Sequence, residues 1–177
     1  LRAGFEEWKR LTARSGAAGF EGTAQAFPDE SHGSIVLTSY LVGLQRIFAG
    51  WFLPRDPATE LIRASRPQIV AHYKSLSDRV GFPVPPPEFV VNLAGYWMLR
   101  ARRTDEAIDP FELNVANWPD SPNGQDSLGE ALEEAGRIQD AKACYRRAIT
   151  QAEAGAHPSL ALFKEHLARA TGKVTQD

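Results

Sequence analysis

The chain has 177 residues, of which 43% are hydrophobic and 24% charged, a composition typical of a globular protein with a real core. Its formal net charge is only −2 and its lysines and arginines are scattered, so the sequence carries no electrostatic footprint for nucleic acid or for an acidic membrane surface. A single cysteine excludes an internal disulfide, and no apolar stretch approaches the roughly 18 residues of a membrane helix.

The first fifty residues predict a helix, a strand, a loop and a second helix. An amphipathic pattern with Phe5 and Trp8 on one side predicts a helix to about Ala13, and the segment from Phe20 to Phe27 is typical of one strand. A lone strand needs a sheet, supplied by sequence that is missing or by another chain. Because Leu1 already lies inside the helical pattern, we expect further sequence upstream and assign no compartment.

The predicted strand leads into a loop that contains a histidine. Residues 27–35 read Phe-Pro-Asp-Glu-Ser-His-Gly-Ser-Ile, and they precede a predicted helix with an apolar side. That side carries Leu41, Leu44, Ile47, Phe48 and Trp51. Together with Tyr40 and Gly43, this segment resembles the last strand, histidine loop and final helix of a family of serine esterases with the α/β-hydrolase fold. Some members of that family carry tetratricopeptide-like repeats after the hydrolase domain.

The resemblance implies a catalytic role for His32. In such an enzyme His32 would act as general base towards a serine hydroxyl and then as general acid towards the leaving alcohol. On sequence context alone, His32 would be a loop histidine with no special task. Asp29 and Glu30 are interpreted as solvated loop charges, because the acid of the family comes from a separate upstream loop, and the loop serines as turn and capping residues.

The other members of a hydrolase triad are missing from the sequence. No G-x-S-x-G nucleophile elbow occurs anywhere in the chain, and in α/β-hydrolases the serine and the acid precede the histidine. The chain alone is therefore expected to be inactive, and a small ester would be the substrate of the full-length parent.

A connecting region follows the histidine segment. Arg66 to Val80 is amphipathic and is predicted to be a helix that Gly81 ends, and the proline-rich stretch 82–87 predicts an extended spacer. We divide the chain into the C-terminal end of a hydrolase domain with the histidine loop (1–53), a linker with a connecting helix (54–87) and tetratricopeptide-like helical repeats with a capping helix (88–177).

From Glu88 onward the sequence is similar to itself at an offset of 34 residues, the length of a tetratricopeptide repeat. The offset pairs Gly95 with Gly129, Ala107 with Ala141 and Phe111 with Tyr145. We expect the small residues where two helices of a hairpin cross, since only small side chains let backbones approach closely. In the turn of the first repeat, Arg102 stands where the second repeat has Gly136.

Two helix starts in this region are predicted from proline positions. A helix that began at Thr104 would carry Pro110 in its interior, at a cost of about 3 kcal/mol, so we predict a later start with Asp109 as N-cap. Residues 157–159, His-Pro-Ser, are predicted to open a capping helix.

The sequence contains no pattern of residues typical of a metal or cofactor site. His72, His157 and His166 lack metal-ligand spacing, Cys144 has no nearby base, and no glycine loop follows a strand in the spacing that phosphate binding needs. We therefore predict no metal and no cofactor.

These patterns predict a mainly α fold, in which the end of an α/β-hydrolase domain (last helix, strand, histidine loop and helix) is followed by two tetratricopeptide-like hairpins and a capping helix. The leading hypothesis for function is the C-terminal portion of a serine carboxylic-ester hydrolase that contributes His32. The alternative is a non-catalytic protein-interaction module, whose helical array binds a protein segment or mediates self-association.

Overall fold

The structure, a computed structural model, describes residues 2–14 and 25–173. These residues form eight α-helices and no β-strand, so the described part of the chain is mainly α, as predicted. Of the predicted strand from Phe20 to Phe27, residues 20–24 lie outside the described residues, and residues 25–27 are irregular. The chain divides into two compact units, Leu1–Ala49 and Gly50–Asp177.

The first unit contains α1 (Arg2–Arg14) and α2 (Ile35–Ile47). The predicted opening helix is present as α1, which carries ion pairs one turn apart between Lys9 and Glu6 and between Arg10 and Glu7. Helix α2 ends before Trp51, which the sequence had suggested as a member of its apolar side. The reason lies in Gly50, whose φ of 68° is left-handed and cannot continue a helix.

The second unit opens with an irregular segment and α3 (Arg66–Val80), whose ends agree with the prediction. The helix starts after Ser65, whose backbone N–H donates to Gln68 Oε1 at 2.8 Å, and it ends at Gly81 with a φ of 78°. The proline-rich spacer packs back on α3, because the Val84 N–H donates to Ser77 Oγ at 2.8 Å.

Five further helices follow, and each packs against the next along the chain. They are α4 (Glu88–Arg100), α5 (Thr104–Asn117), α6 (Pro122–Glu134), α7 (Ile138–Ala154) and α8 (Leu160–Lys173). Helices α4, α6 and α8 also contact one another in that order, so they share one side of the array. The main core lies between α4, α5, α6 and α7, and a second cluster joins α3 to α4.

The glycines that the 34-residue offset pairs lie at close helix approaches. A Cβ added to Gly95 would lie 2.4 Å from Phe111 Cζ, and one added to Gly129 would lie 2.5 Å from Tyr145 Cε1. Both rings are fully buried. The large ring of one helix therefore occupies the space that a side chain on the other would need.

The predicted late start of α5 is wrong. The helix begins at Thr104 and carries Pro110 in its interior. An early start is favoured because it brings Ala107 and Ile108 into the core, where both are buried. Pro110 is itself buried, while Glu106, whose carbonyl would have received the missing N–H, lies on the exposed side. Burial of apolar surface thus outweighs one lost hydrogen bond.

The two turns that join α4 to α5 and α6 to α7 have the same geometry. Arg102 and Gly136 both have a positive φ, 60° and 76°. The N–H of the next residue returns to a carbonyl in each case, Arg103 to Met98 at 3.0 Å and Arg137 to Leu132 at 2.8 Å. The left-handed conformation costs a residue with a Cβ about 1 kcal/mol, and glycine adopts it freely.

We expect the substitution Arg102→Gly to raise the free energy of unfolding by about 1 kcal/mol, because it removes backbone strain and breaks no side-chain hydrogen bond or ion pair to another described residue. The matched substitution Gly136→Arg should lower it by a similar amount. Urea unfolding of both variants measures the shift in midpoint at constant slope. A lower midpoint for Arg102→Gly would contradict the assignment of strain to this turn.

Candidate functional site

His32 lies in an exposed loop that leads directly into α2. The loop is held by two serines: the Ser31 N–H donates to Ser34 Oγ at 2.9 Å, and the Ser34 N–H donates to Ser31 Oγ at 3.3 Å. These bonds agree with the predicted turn role, and Ser34 is the N-cap residue of α2 but makes no side-chain capping bond. Among the described residues, no side chain is hydrogen-bonded to His32, so the loop presents an unengaged imidazole.

The acids beside His32 are not positioned to orient its ring. The Glu30 carboxylate accepts a hydrogen bond from the Thr38 hydroxyl at 2.7 Å, on the first turn of α2. Hydrogen bonds from Ser34 and Thr38 lower the pKa of Glu30, so this carboxylate stays ionised and ties the loop to the helix. Asp29 lies exposed in the turn. This arrangement agrees with the interpretation of both acids as loop charges.

Helix α2 exposes nearly all of its large apolar side chains. None of its residues is buried, and Leu37 is 77% exposed. The exposed set comprises Val36, Leu37, Tyr40, Leu41, Leu44 and Ile47 on the helix and Phe48 at its end. Ser39, Tyr40 and Gly43 line a shallow apolar depression of about 330 Å³ on this surface. So large an apolar surface on one short helix is characteristic of an interaction surface.

A second candidate site lies on the side of the array shared by α4, α6 and α8. A cavity of about 340 Å³, which we call the α4–α6–α8 groove, is lined by residues of these helices and by Ser159 in the turn before α8. The lining includes Phe89, Asn92, Tyr96, Asp126, Ser127 and Leu162. The groove therefore combines polar groups with exposed apolar walls, as ligand pockets do.

The polar wall of this groove contains the buried carboxylate of Asp126, which is paired with an imidazole on α8. His166 Nδ1 lies 2.9 Å from Asp126 Oδ1, and both side chains are more than nine-tenths buried. Burial raises the pKa of Asp126 to about 6, in spite of the hydrogen bond from His166, which lowers it. Next to this pair, the Tyr96 hydroxyl donates to Glu130 and lies 3.1 Å from Ser127 Oγ.

A further buried charge joins α6, α7 and α8. The Glu133 carboxylate accepts bonds from Arg169 Nε at 3.1 Å and Nη2 at 2.9 Å, and from the Tyr145 hydroxyl at 2.7 Å. Burial and the neighbouring Glu133 carboxylate raise the pKa of the Tyr145 phenol, and the Glu133 carboxylate raises the pKa of Arg169, so the phenol stays neutral and the guanidinium charged. This network fixes the last helix against the array.

Sequence reasoning missed both clusters because their members lie far apart in the chain. Asp126 and His166 are separated by 40 residues. A signal did exist: Asp126, Glu130 and Glu133 recur at helical spacing on α6, and His166 and Arg169 lie one turn apart on α8. Matching an acidic row to a basic pair would have predicted the contact between these helices.

The other two histidines, His72 and His157, and the single cysteine make contacts within the helical fold. His72 Nε2 lies 3.0 Å from the Trp51 carbonyl oxygen, and His157 stacks on Phe163 with 5.7 Å between ring centroids. Cys144 is buried in the main core, and burial raises the pKa of its thiol. A nucleophile needs the opposite shift.

Within the described ranges no group of histidine, cysteine and acidic side chains could hold a metal ion. No helix in the same part of the chain is long and apolar enough to cross a membrane. The sequence also matches no known protein family, and no curated protein is significantly similar to it.

Proposed function

We propose that the chain is the C-terminal part of a serine esterase of the α/β-hydrolase class, in which His32 is the general base. The observation that carries the proposal is the exposed apolar row of α2, which directly follows the histidine loop. In the fold that the sequence resembles, the corresponding helix packs on the central sheet. The row therefore has the position and the chemistry of a surface that such a sheet would cover.

The low intrinsic stability of a helix as short as α2 supports the idea that another surface covers its apolar row. A helix of 13 residues is marginal in water by itself, and fully burying one leucine or phenylalanine contributes about 1.5–3 kcal/mol. Burial of several members of the apolar row would thus stabilise α2 and, through the Thr38–Glu30 bond, the loop that carries His32. Folding and the positioning of the base would be coupled.

The chemistry of this proposal is acyl transfer. The imidazole of His32 takes the proton of an upstream serine hydroxyl as its oxygen attacks the ester carbonyl carbon. The protonated ring then gives that proton to the leaving alcohol, and the cycle repeats with water to release the acid. Since Glu30 is bound to Thr38, the acid that orients the ring would also come from upstream.

The test is hydrolysis of a short-chain nitrophenyl ester by the full-length parent. We expect turnover, together with a G-x-S-x-G elbow before residue 1 whose serine is essential for turnover. A parent sequence without an elbow, or an active parent that is indifferent to loss of that serine, would remove the esterase assignment.

Substitution on α2 tests the buried face independently of catalysis. In this chain we expect Leu41→Lys to change stability by less than about 0.5 kcal/mol, because the side chain is exposed. In the parent the same change should cost about 3 kcal/mol or more, since it would bury a charge in place of a leucine. Gln45→Lys, on the polar side of the helix, is the control, and thermal unfolding of both forms measures the effect.

An equal effect of Leu41→Lys and Gln45→Lys in the parent would mean that the apolar row of α2 stays exposed there. The proposal would then lose its main support, whatever the outcome of the ester assay.

The helical array of the second unit is proposed to be a tetratricopeptide-like extension. Contacts that recur 34 residues apart support this: Arg103 pairs with Glu106 as Arg137 does with Asp140, and each ion pair opens the second helix of its hairpin. The α4–α6–α8 groove favours the second candidate function, a module that captures a protein segment on this side of the array. The two functions are compatible in one protein.

A further inference from the structure

The α4–α6–α8 groove has an unbalanced set of charges. Its two charged lining residues are both acids, Glu88 and Asp126, and neither lysine nor arginine lines it. Glu88 accepts a hydrogen bond from the Ser121 hydroxyl and has no cationic partner among the described residues. A groove lined in this way favours positively charged ligands and disfavours anions.

An unsatisfied acceptor lies in the same wall. The side-chain oxygen of Asn92 is buried and has no hydrogen-bond partner among the described residues. A buried acceptor without a donor is unfavourable, and a ligand N–H that reached it would recover the lost free energy. Asn92 itself is only partly buried and lines the groove, so a turn of its amide would bring this covered oxygen to a donor held there.

Both oxygens of the Asp126 carboxylate share one hydrogen-bond donor among the described residues, His166 Nδ1, at 2.9 and 3.1 Å. Its neighbours are Tyr96 on α4, Glu130 on its own helix, and His166 and Arg169 on α8. Burial and the nearby Glu130 raise its pKa to about 6, although His166 and Arg169 favour the ionised form. A carboxylate in this state gains more from an added cation than an exposed, well-solvated one does.

The apolar walls define the shape of the ligand. Phe89 is 57% exposed and Leu162 is 46% exposed, although both line the groove. A chain of methylene groups would cover them, and each buried CH₂ would add to the affinity. A lysine side chain combines such a stem with an ammonium group that donates three hydrogen bonds.

We propose that the α4–α6–α8 groove binds an alkylammonium group, carried by a lysine of a peptide or by a free amine. Asp126 is the counter-ion, Asn92 Oδ1 accepts one ammonium N–H, and Phe89 and Leu162 contact the stem. The proposal does not involve His32, and it holds whether or not the parent is an esterase.

The experiment is calorimetric titration of the full chain with three probes. They are the blocked peptide Ala-Leu-Lys-Leu-Ala, the same peptide with glutamate for lysine, and n-pentylamine. We expect the lysine peptide to bind and the glutamate peptide to bind at least about tenfold more weakly. A peptide that binds much more tightly than the amine identifies a protein segment as the natural ligand, and equal affinities identify a small amine.

The variant Asp126→Asn removes the counter-ion and keeps an acceptor for His166. We expect it to bind the lysine peptide at least about tenfold more weakly, and Asn92→Leu to weaken binding as well. Asp140→Asn, on α7 and paired with Arg137, is the matched control and should bind like the unaltered chain. Circular dichroism verifies that each variant is folded.

The dependence on pH provides a second readout. Ionised Asp126 is required for the ion pair, so the affinity of the unaltered chain should rise as the pH increases through about 6. The Asp126→Asn variant should show no such rise. Absence of binding by both the lysine peptide and the amine, or equal affinity of Asp126→Asn and the unaltered chain, would overturn the proposal.

Discussion

Replacement of His32 by alanine in the proposed full-length esterase is expected to lower kcat/KM for a nitrophenyl ester by about 10⁴-fold. The reason is that a serine hydroxyl is a weak nucleophile until a base removes its proton, and the same ring must then protonate the leaving alcohol. Since both steps use one imidazole, its loss affects acylation and deacylation together. Steady-state kinetics with purified protein measure the change.

The fold should survive this substitution, because His32 is exposed and no described side chain is bonded to it. An unchanged unfolding midpoint would therefore attribute the loss of rate to chemistry. His157→Ala is the matched control, since His157 stacks on Phe163 in the helical array and has no role in the proposed reaction. Turnover by His32→Ala at the rate of the control would exclude His32 as the base.

The substitution Gly129→Ala is expected to destabilise the second unit by about 3 kcal/mol. The new methyl group would lie 2.5 Å from Tyr145 Cε1, well inside van der Waals contact. The ring cannot easily move aside, because it is fully buried and its hydroxyl donates to Glu133 at 2.7 Å. The better helix propensity of alanine offsets about 1 kcal/mol of a larger steric cost.

Gly124→Ala on the same helix is the control for this experiment. A Cβ at Gly124 would have its nearest neighbours at 3.8 Å, an ordinary contact, so this variant should be as stable as the unaltered chain or more so. Gly95→Ala should behave like Gly129→Ala, because its methyl group would meet the Phe111 ring at 2.4 Å. Denaturant unfolding compares the three, and a neutral Gly129→Ala would contradict the close approach of α6 and α7.

The parts of the fold that depend on local patterns were predictable from sequence. The range of α3 follows from an amphipathic period that stops at Gly81, and the close approaches at Gly95 and Gly129 follow from the 34-residue offset. In each case the residue that decides the structure lies within a few positions of its effect or recurs at a fixed distance. Pro110 shows the limit, because its local cost is outweighed by burial of Ala107 against residues far along the chain.

The candidate functional residues also differ in whether a local sequence pattern could identify them. His32 stands in a short run of residues, so a resemblance could single it out without any knowledge of the fold. Asp126, His166 and Glu133 gain their properties from burial and from partners on another helix, and a raised pKa cannot be read from a residue type alone. The esterase role of His32 stays a prediction until the parent is assayed.

Because Cys144 is buried, the reactivity of its thiol can measure how often the surrounding core opens to solvent. As the single cysteine, it lies in the core between helices that Gly129 and Tyr145 bring together, and its thiol pKa is raised. A disulfide reagent reacts with the thiolate, so labelling requires this core to expose the sulfur to solvent. The ratio of the labelling rate to that of a free thiol then reports the free energy of local opening, under native conditions and without an added probe.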